Sequence, residues 1–100
     1  MQLGCNQTVI CGKLIKLGVL RYTPAGIAVI EFTINHVSRQ TEAGVVRQII
    51  FDIFAIAMDQ LALGVAEFQI DSMVKLTGFL NRKSHMNQQL VLHANQIELI

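Results

Sequence analysis

Apolar and polar residues alternate with a period of two along most of the chain, a pattern typical of β-strands that bury one face. In residues 27–36 the even positions from 28 to 34 are apolar, whereas the odd ones include Glu31 and Thr33. The same test applied along the chain predicts five strands: TVICGKLIKL (8–17), IAVIEFTINH (27–36), EAGVVRQIIFDIFAIA (42–57), SMVKLTGFLN (72–81) and QQLVLHANQIEL (88–99).

The parity of the apolar residues also predicts which side chains enter the core. Because Gly12 lies in the middle of the first strand, it predicts a bend or a close backbone approach there. The third strand is apolar on both faces, so we expect it to be covered on both sides. In the first, fourth and fifth strands the expected inward residues are Ile10, Gly12, Leu14, Val74, Leu76, Gly78, Leu80, Leu90, Leu92 and Ala94.

Three connections differ in composition from the strands. Residues 21–26 contain Pro24, the one proline of the chain, followed by a glycine, which predicts a turn. Between the third and fourth strands, Met58, Leu61, Val65 and Phe68 have helical spacing, although the nearby Gly64 disfavours a helix, so we expect a short helix or an irregular cap. Residues 81–88 are polar and predict a loop between the last two strands.

Five short strands with a glycine in the first and a cap after the third outline an all-β OB-fold, a five-stranded Greek-key barrel. With 100 residues, the chain is expected to form a single OB-fold domain over residues 1–100. The alternative is another small all-β barrel, because periodicity does not establish the order of the strands.

The composition bears on assembly and location. Apolar residues make up 52% of the chain, charged residues 15%, and the mean hydropathy is +0.46. This excess of apolar residues predicts a subunit interface, with an ordinary core as the alternative. We expect no membrane span and no signal peptide, because no apolar run reaches ~18 residues and the amino terminus lacks a basic region. Cys5 and Cys11 would stand ~20 Å apart on one extended segment, which disfavours a disulfide and suits the cytoplasm.

The near-neutral net charge of +1 hides an uneven distribution. Residues 1–30 and 75–97 hold three bases each and no acid, whereas residues 48–74 hold four acids and no base. Two basic segments therefore flank an acidic one.

Catalytic and metal-binding patterns are missing from the sequence. No serine lies in a nucleophile elbow, and no phosphate loop or dinucleotide fingerprint occurs. The cysteine spacing fits no zinc pattern, and His36 and His93 fall near strand ends, where structural histidines are common. We therefore expect a protein that is not an enzyme and that uses neither a metal nor a cofactor.

A nucleic-acid groove is the functional hypothesis that the residues favour. OB-folds bind single strands on the face of strands two and three, between the loops that follow strands one and four. Basic and aromatic residues fall at these three places, and they are the candidate DNA contacts: Arg21, Tyr22, Arg39, Arg47, Arg82, Lys83 and His85.

Aromatic stacking platforms, which single-strand binders also need, are scarce in the sequence. Tyr22 is the one aromatic residue placed plainly in a loop. Phe51 and Phe54 could also stack with bases, but their position in the third strand predicts that both belong to the core.

Four segments, TPAGIAVIEFTINH, TEAGVVRQ, VKLTGFLNRKS and LVLHANQIELI, resemble the primosomal replication protein N (PriB) family. The resemblance extends over almost the whole chain, and residues 57–72 match poorly. It implies an OB-fold related to bacterial single-stranded DNA-binding protein. It also implies a homodimer that binds single-stranded DNA and joins the helicase PriA and the protein DnaT in replication restart. An adaptor that is dimeric, binds mainly proteins and contacts DNA weakly is the alternative.

The resemblance also implies roles for particular positions. The family's basic loop matches Arg82 and Lys83, and a family arginine matches Arg47. An aromatic residue of the family's third strand corresponds to Ile50, which joins the candidate DNA contacts. Gln88 and Gln89 stand where well-known relatives carry lysine, so this loop is less basic here.

Overall fold

The computed structural model describes residues 4–100. Residues 1–3 lie outside the described part. Two predictions, a single domain over residues 1–100 and an amino terminus without a signal peptide, therefore include residues that the structure does not describe. The elements in chain order are β1 (Thr8–Leu17), β2 (Arg21–Tyr22), β3 (Ala28–Glu42), β4 (Val45–Met58), α1 (Gln60–Val65), β5 (Met73–Ser84) and β6 (Asn87–Leu99).

The five long strands close into a barrel. The order of the sheet is β1-β5-β6-β4-β3, and β1 closes the barrel because it also pairs with β3. All of these pairings are antiparallel except β4 with β6, which is parallel. The two-residue strand β2 adds to the edge of β3. The predicted all-β OB-fold, a five-stranded Greek-key barrel, is confirmed.

Strand β1 pairs with two neighbouring strands, and Gly12 lies next to the residue at which the pairing of β1 changes from β5 to β3. Residues 8–13 pair with β5, whereas Lys13, Leu14, Lys16 and Leu17 pair with β3. A Cβ atom at Gly12 would overlap the Ile34 side chain and lie 2.5 Å from the carbonyl oxygen of Asn35. The predicted close backbone approach is therefore confirmed.

The core fills the barrel as the alternation predicts. Leu14, Val74, Leu76 and Leu92 are fully buried in one apolar cluster. Of the two alternatives expected after the third strand, a short helix or an irregular cap, the structure has the helix, α1, whose buried residues Ala62 and Val65 join the same cluster. The helix therefore caps the barrel even though it contains Gly64.

Strands β3 and β4 continue beyond the barrel as a two-stranded ribbon, which we define as residues 37–50. The ribbon ends in a two-residue turn at Ala43 and Gly44, both with positive φ. Val45, Val46 and Ile50 are exposed. The expectation that the third strand would be covered on both faces is wrong for this half, because no other element of the described chain reaches it.

The last two strands are also longer than predicted. Residues 81–88 are not an open loop, because β5 runs to Ser84 and β6 begins at Asn87. Only His85 and Met86 form the turn between them. Leu90 was expected to point inward but is exposed, because it lies opposite Arg82 on this projecting hairpin. Arg21 and Tyr22 likewise belong to β2 rather than to a loop.

Both cysteines are free and exposed. This agrees with the expectation that they form no intrachain disulfide. Within residues 4–100, no helix has the length and apolar character that crossing a membrane requires.

Candidate nucleic-acid interface

A row of side chains crosses four strands on the outer face of the barrel, the face that points away from the core. Lys16 of β1 is opposite Thr33 of β3, Thr33 is opposite Phe54 of β4, and Phe54 pairs with Val91 of β6. Side chains at directly paired positions lie on the same face of a sheet. The row therefore places a lysine two strands from a phenylalanine, a separation of about 10 Å.

The β5–β6 hairpin turns this row into a cleft. It contributes Lys83 and Gln89, which lie across from Lys16 and Gly18 at the end of β1. Thr33 lies at the floor and is only 6% exposed. The cleft has a volume of about 240 Å³ and is lined by Lys16, Gly18, Glu31, Phe32, Thr33, Phe54, Ala55, Lys83, Gln89 and Val91.

Gly18 lies where the chain leaves β1 and runs close to β3. Its N–H donates a hydrogen bond of 2.8 Å to the carbonyl oxygen of Glu31. A Cβ atom at this position would lie 2.7 Å from the same oxygen, so a larger residue would push the two backbones apart. The glycine thus allows the backbones of β1 and β3 to meet at one end of the cleft.

Phe54 supplies the cleft with an aromatic ring. Its exposed fraction is 44%, because its side chain points to the outer face. Phe51 is 41% exposed and lies on the opposite face, where its ring centroid is 4.9 Å from that of His36. The expectation that both phenylalanines belong to the core is wrong. Phe54 has the opposite parity to the buried Ala55 and Ala57, whereas Phe51 shares their parity but lies beside the ribbon, before the buried part of β4.

The charges in the cleft are mixed. Lys16 and Lys83 provide two cations, and Glu31 provides one anion. Arg21 Nη2 is 3.5 Å from Glu31 Oε1. Arg21 therefore reaches the cleft through its ion pair with Glu31, and its own side chain is not part of the lining.

The outer face of the ribbon continues the floor of the cleft. Ile50 pairs with Val37, and Arg39 pairs with Gln48, at the same parity as Thr33 and Phe54. Arg39 and Ile50, two predicted contacts, are thereby aligned with the cleft. Ile50 is 60% exposed, which leaves an apolar surface beyond Phe54.

Arg47 points the other way. It is opposite Gln40 on the face that continues the interior of the barrel. Its Nε atom lies 3.2 Å from Glu42 Oε1 at the end of the ribbon. The structure therefore separates Arg47 from Arg39 and Ile50.

The remaining predicted DNA contacts also lie on different faces of the sheet. Arg82 and Lys83 are neighbours on β5, so their side chains lie on opposite faces of the hairpin. Arg82 Nη2 is 3.4 Å from Nδ1 of His85, and both residues are outside the lining of the cleft. Tyr22 is exposed, but it pairs with Ala28 and so lies on the face opposite to Arg21. Of the predicted contacts, only Lys83 lines the cleft.

Nine of the ten residues that line the cleft are absent from the candidate contacts, and three of the nine are charged or aromatic residues exposed at the surface: Lys16, Glu31 and Phe54. The parity of β4 was a usable signal for Phe54, because small buried residues at 55 and 57 mark that parity as the inner one. Lys16 and Glu31 carry no comparable signal, since their proximity to Phe54 depends on the pairing between strands.

Metal-binding side chains do not converge in residues 4–100, where no three His, Cys, Asp or Glu residues form a group suited to an ion. The side chains that line the cleft offer ionic, aromatic and hydrogen-bonding contacts.

Comparisons with known proteins identify the family to which the chain belongs. A family model described as "Another single-strand binding protein family" matches residues 6–96. The replication restart protein PriB of Nitrosomonas europaea is 40% identical over 95 residues, which cover 95% of this chain and 88% of that protein. PriB of Photorhabdus laumondii is 36% identical over 98 residues, which cover 95% of this chain and 93% of that protein.

Solved structures extend the comparison. PriB from Ralstonia solanacearum superimposes with a TM-score of 0.87 at 27% identity, and the match covers 97% of this chain and 100% of that one. A variant of the single-stranded DNA binding protein from Thermus aquaticus gives a TM-score of 0.79 at 18% identity, covering 97% of this chain and 51% of that one. At that identity the second match supports the fold alone.

Proposed function

The chain belongs to the PriB family of replication restart proteins, and from this premise we propose that it binds single-stranded DNA during replication restart. The observation that carries the proposal is the cleft, in which Phe54 is exposed between Lys16 and Lys83. Single-strand binders combine aromatic platforms with cations that follow the backbone. This cleft holds both on one face of the barrel.

In the proposed complex, one base stacks on Phe54. The lysines on either side reach phosphates, since a lysine side chain spans most of the ~10 Å between paired positions two strands apart. The strand then continues over Val37 and Ile50 toward Arg39. Binding of this kind involves no covalent chemistry, which agrees with relatives that are named as restart or binding proteins.

The other predicted contacts belong to a second part of the proposal. Arg47, Arg82, His85 and Tyr22 lie away from the cleft, so a strand that leaves the cleft would meet them only after bending around an edge. We propose that they contact flanking nucleotides rather than the stacked base.

The predicted assembly is a homodimer with C2 symmetry, the commonest closed arrangement. The ribbon supports it, because Val45 is exposed in the single chain on the face opposite to Ile50, away from the proposed path of the DNA. We also propose that the protein works in the cytoplasm and links DNA to the helicase PriA and to DnaT. Light scattering at micromolar concentration should give the mass of two chains, and the mass of one chain would contradict the dimer.

Fluorescence anisotropy tests the DNA proposal directly. A labelled thymine oligonucleotide should bind more tightly than a duplex of equal length, because stacking on Phe54 needs an unpaired base. Tighter or equal binding of the duplex would exclude the proposed mode.

A second candidate function is an adaptor that chiefly binds proteins. The exposed apolar ribbon favours it, as do the acids Glu31 and Asp52 on the outer face. The two functions differ in the salt dependence of single-strand affinity. Phosphate contacts give a slope of roughly −0.7 per contact in a plot of log affinity against log salt, so a slope near zero would favour the adaptor.

A further inference from the structure

Glu31 is an acid inside a cleft proposed to hold a polyanion. It lines the cleft together with Lys16, Lys83 and Phe54. An uncompensated carboxylate beside a phosphate lowers affinity. A role in recognising the base would explain its place, because a carboxylate accepts hydrogen bonds and cannot donate them.

Glu31 is well placed to meet the edge of a base. It pairs with Ile56, and two residues further along the same strand Thr33 pairs with Phe54. Glu31 and Phe54 are therefore diagonal neighbours on the outer face, with Cβ atoms roughly 7–8 Å apart. A base stacked on the Phe54 ring would extend its edge into this gap.

Arg21 holds the carboxylate in position. Its Nη2 atom lies 3.5 Å from Glu31 Oε1. The guanidinium balances the charge of Glu31, and a carboxylate has two oxygens, so one is available to a ligand. Arg21 thus acts as a positioning residue, and phosphates in the cleft meet an ion pair instead of a bare anion.

We propose that Glu31 determines base preference in the cleft by accepting a hydrogen bond from an exocyclic amino group, as on cytosine. Thymine presents an oxygen at the same place, and two acceptors facing each other repel. Acidic side chains recognise the cytosine amino group in this way in duplex grooves. The inference rests on the proposed single-strand binding, and it adds a preference that phosphate contacts and stacking do not supply.

The sharpest test uses two oligonucleotides of equal length, one of thymidine and one of 5-methyldeoxycytidine. Both bases carry the 5-methyl group, so they differ only on the hydrogen-bonding edge. Affinities are measured at one salt concentration above pH 7 for the wild type and for Glu31→Gln. Glu42→Gln is the matched control, because Glu42 is an exposed glutamate paired with an arginine outside the cleft.

The wild type should bind the 5-methylcytosine strand about fivefold more tightly than the thymine strand, the effect of one good base contact. Glu31→Gln should bring this ratio close to one, because an amide can donate to the thymine oxygen. Glu42→Gln should keep the wild-type ratio even if it changes both affinities. Glu31→Asp keeps the charge but retracts the carboxylate, so it should lose most of the preference.

Three results would overturn the inference. Equal wild-type affinities for the two strands would refute the preference while leaving the proposed function intact. A ratio unchanged in Glu31→Gln, or kept in full by Glu31→Asp, would show that no contact from Glu31 creates it. Failure of both strands to bind would refute the proposed function, and this inference with it.

Discussion

Both halves of the β3–β4 hairpin carry large apolar side chains, but the environments of these side chains differ. In the inner half, Ile30, Phe32 and Ile34 are buried against the other strands of the barrel. In the outer half, Val37, Val46 and Ile50 are equally apolar and yet exposed. The strands, their pairing and their register are continuous between the two halves. The difference therefore lies in what covers each half, and it separates a region that stabilises the fold from one that is available for binding.

The same division appears along β5 and β6. Val74, Leu76 and Leu92 are buried inside the barrel, whereas Lys83 and Leu90 project beyond it on the hairpin. Both projecting hairpins begin where the closed barrel ends. The barrel thus acts as the rigid base from which two arms extend, and the cleft lies at the foot of one of them.

The largest expected effect is on stability and separates the two halves directly. Leu76→Ala should lower the free energy of unfolding by about 2–5 kcal/mol, because it opens a cavity in a fully buried position. Ile50→Ala, the matched aliphatic truncation on the ribbon, should lower it by only about 0.5 kcal/mol. Urea denaturation of both variants measures the difference. Similar losses would show that the ribbon is as well packed as the barrel.

The next effect is on DNA affinity. Phe54→Ala should weaken single-strand binding by about 1–3 kcal/mol, the usual contribution of one stacked base. Phe51→Ala removes a ring of similar exposure from the opposite face, so it serves as the control and should change affinity much less. Anisotropy titrations with one oligonucleotide compare the two. If Phe51→Ala is the more damaging variant, the DNA lies on the other face.

A smaller expected effect distinguishes two adjacent basic residues, Arg82 and Lys83. Lys83→Ala should flatten the plot of log affinity against log salt by roughly 0.7, because it removes one phosphate contact. Arg82→Ala should leave this slope nearly unchanged, since its side chain lies outside the cleft near His85. Neither exposed charge should alter stability by more than about 0.5 kcal/mol. An equal change of slope in both variants would place the DNA around the whole tip of the hairpin.

The smallest expected effect is a gain. Ile50→Trp would add an aromatic surface beyond Phe54, and it should tighten single-strand binding by about fivefold, the low end for stacking. Because Ile50 is exposed, thermal stability should be unaffected. Ile49→Trp, on the neighbouring position and the other face, should give no gain. A gain from Ile49→Trp alone would reverse the assignment of the faces.

The sequence by itself predicted the five long strands, a helix or irregular cap after the third strand, and most of the core. Alternation with a period of two is a local property, and it predicted the buried faces of β1 and β5 at Leu14, Val74 and Leu76. The close approach at Gly12 was also predictable, because a glycine inside a strand often marks a bulge, a bend or a close approach of another backbone. Residues 8–17 were predicted with the bounds that β1 has in the structure.

Only the tertiary structure decided which side chains share the cleft. Alternation states which residues of one strand lie on the same face, but it does not state which residues of another strand lie opposite them. Lys16, Phe54 and Lys83 are far apart in the chain, and they meet because β1 pairs with β3, β4 pairs with β6 and the hairpin folds across. The exposure of Val46 and Ile50 is decided in the same way, since β6 pairs with β4 only at residues 54–56 and does not extend along the ribbon.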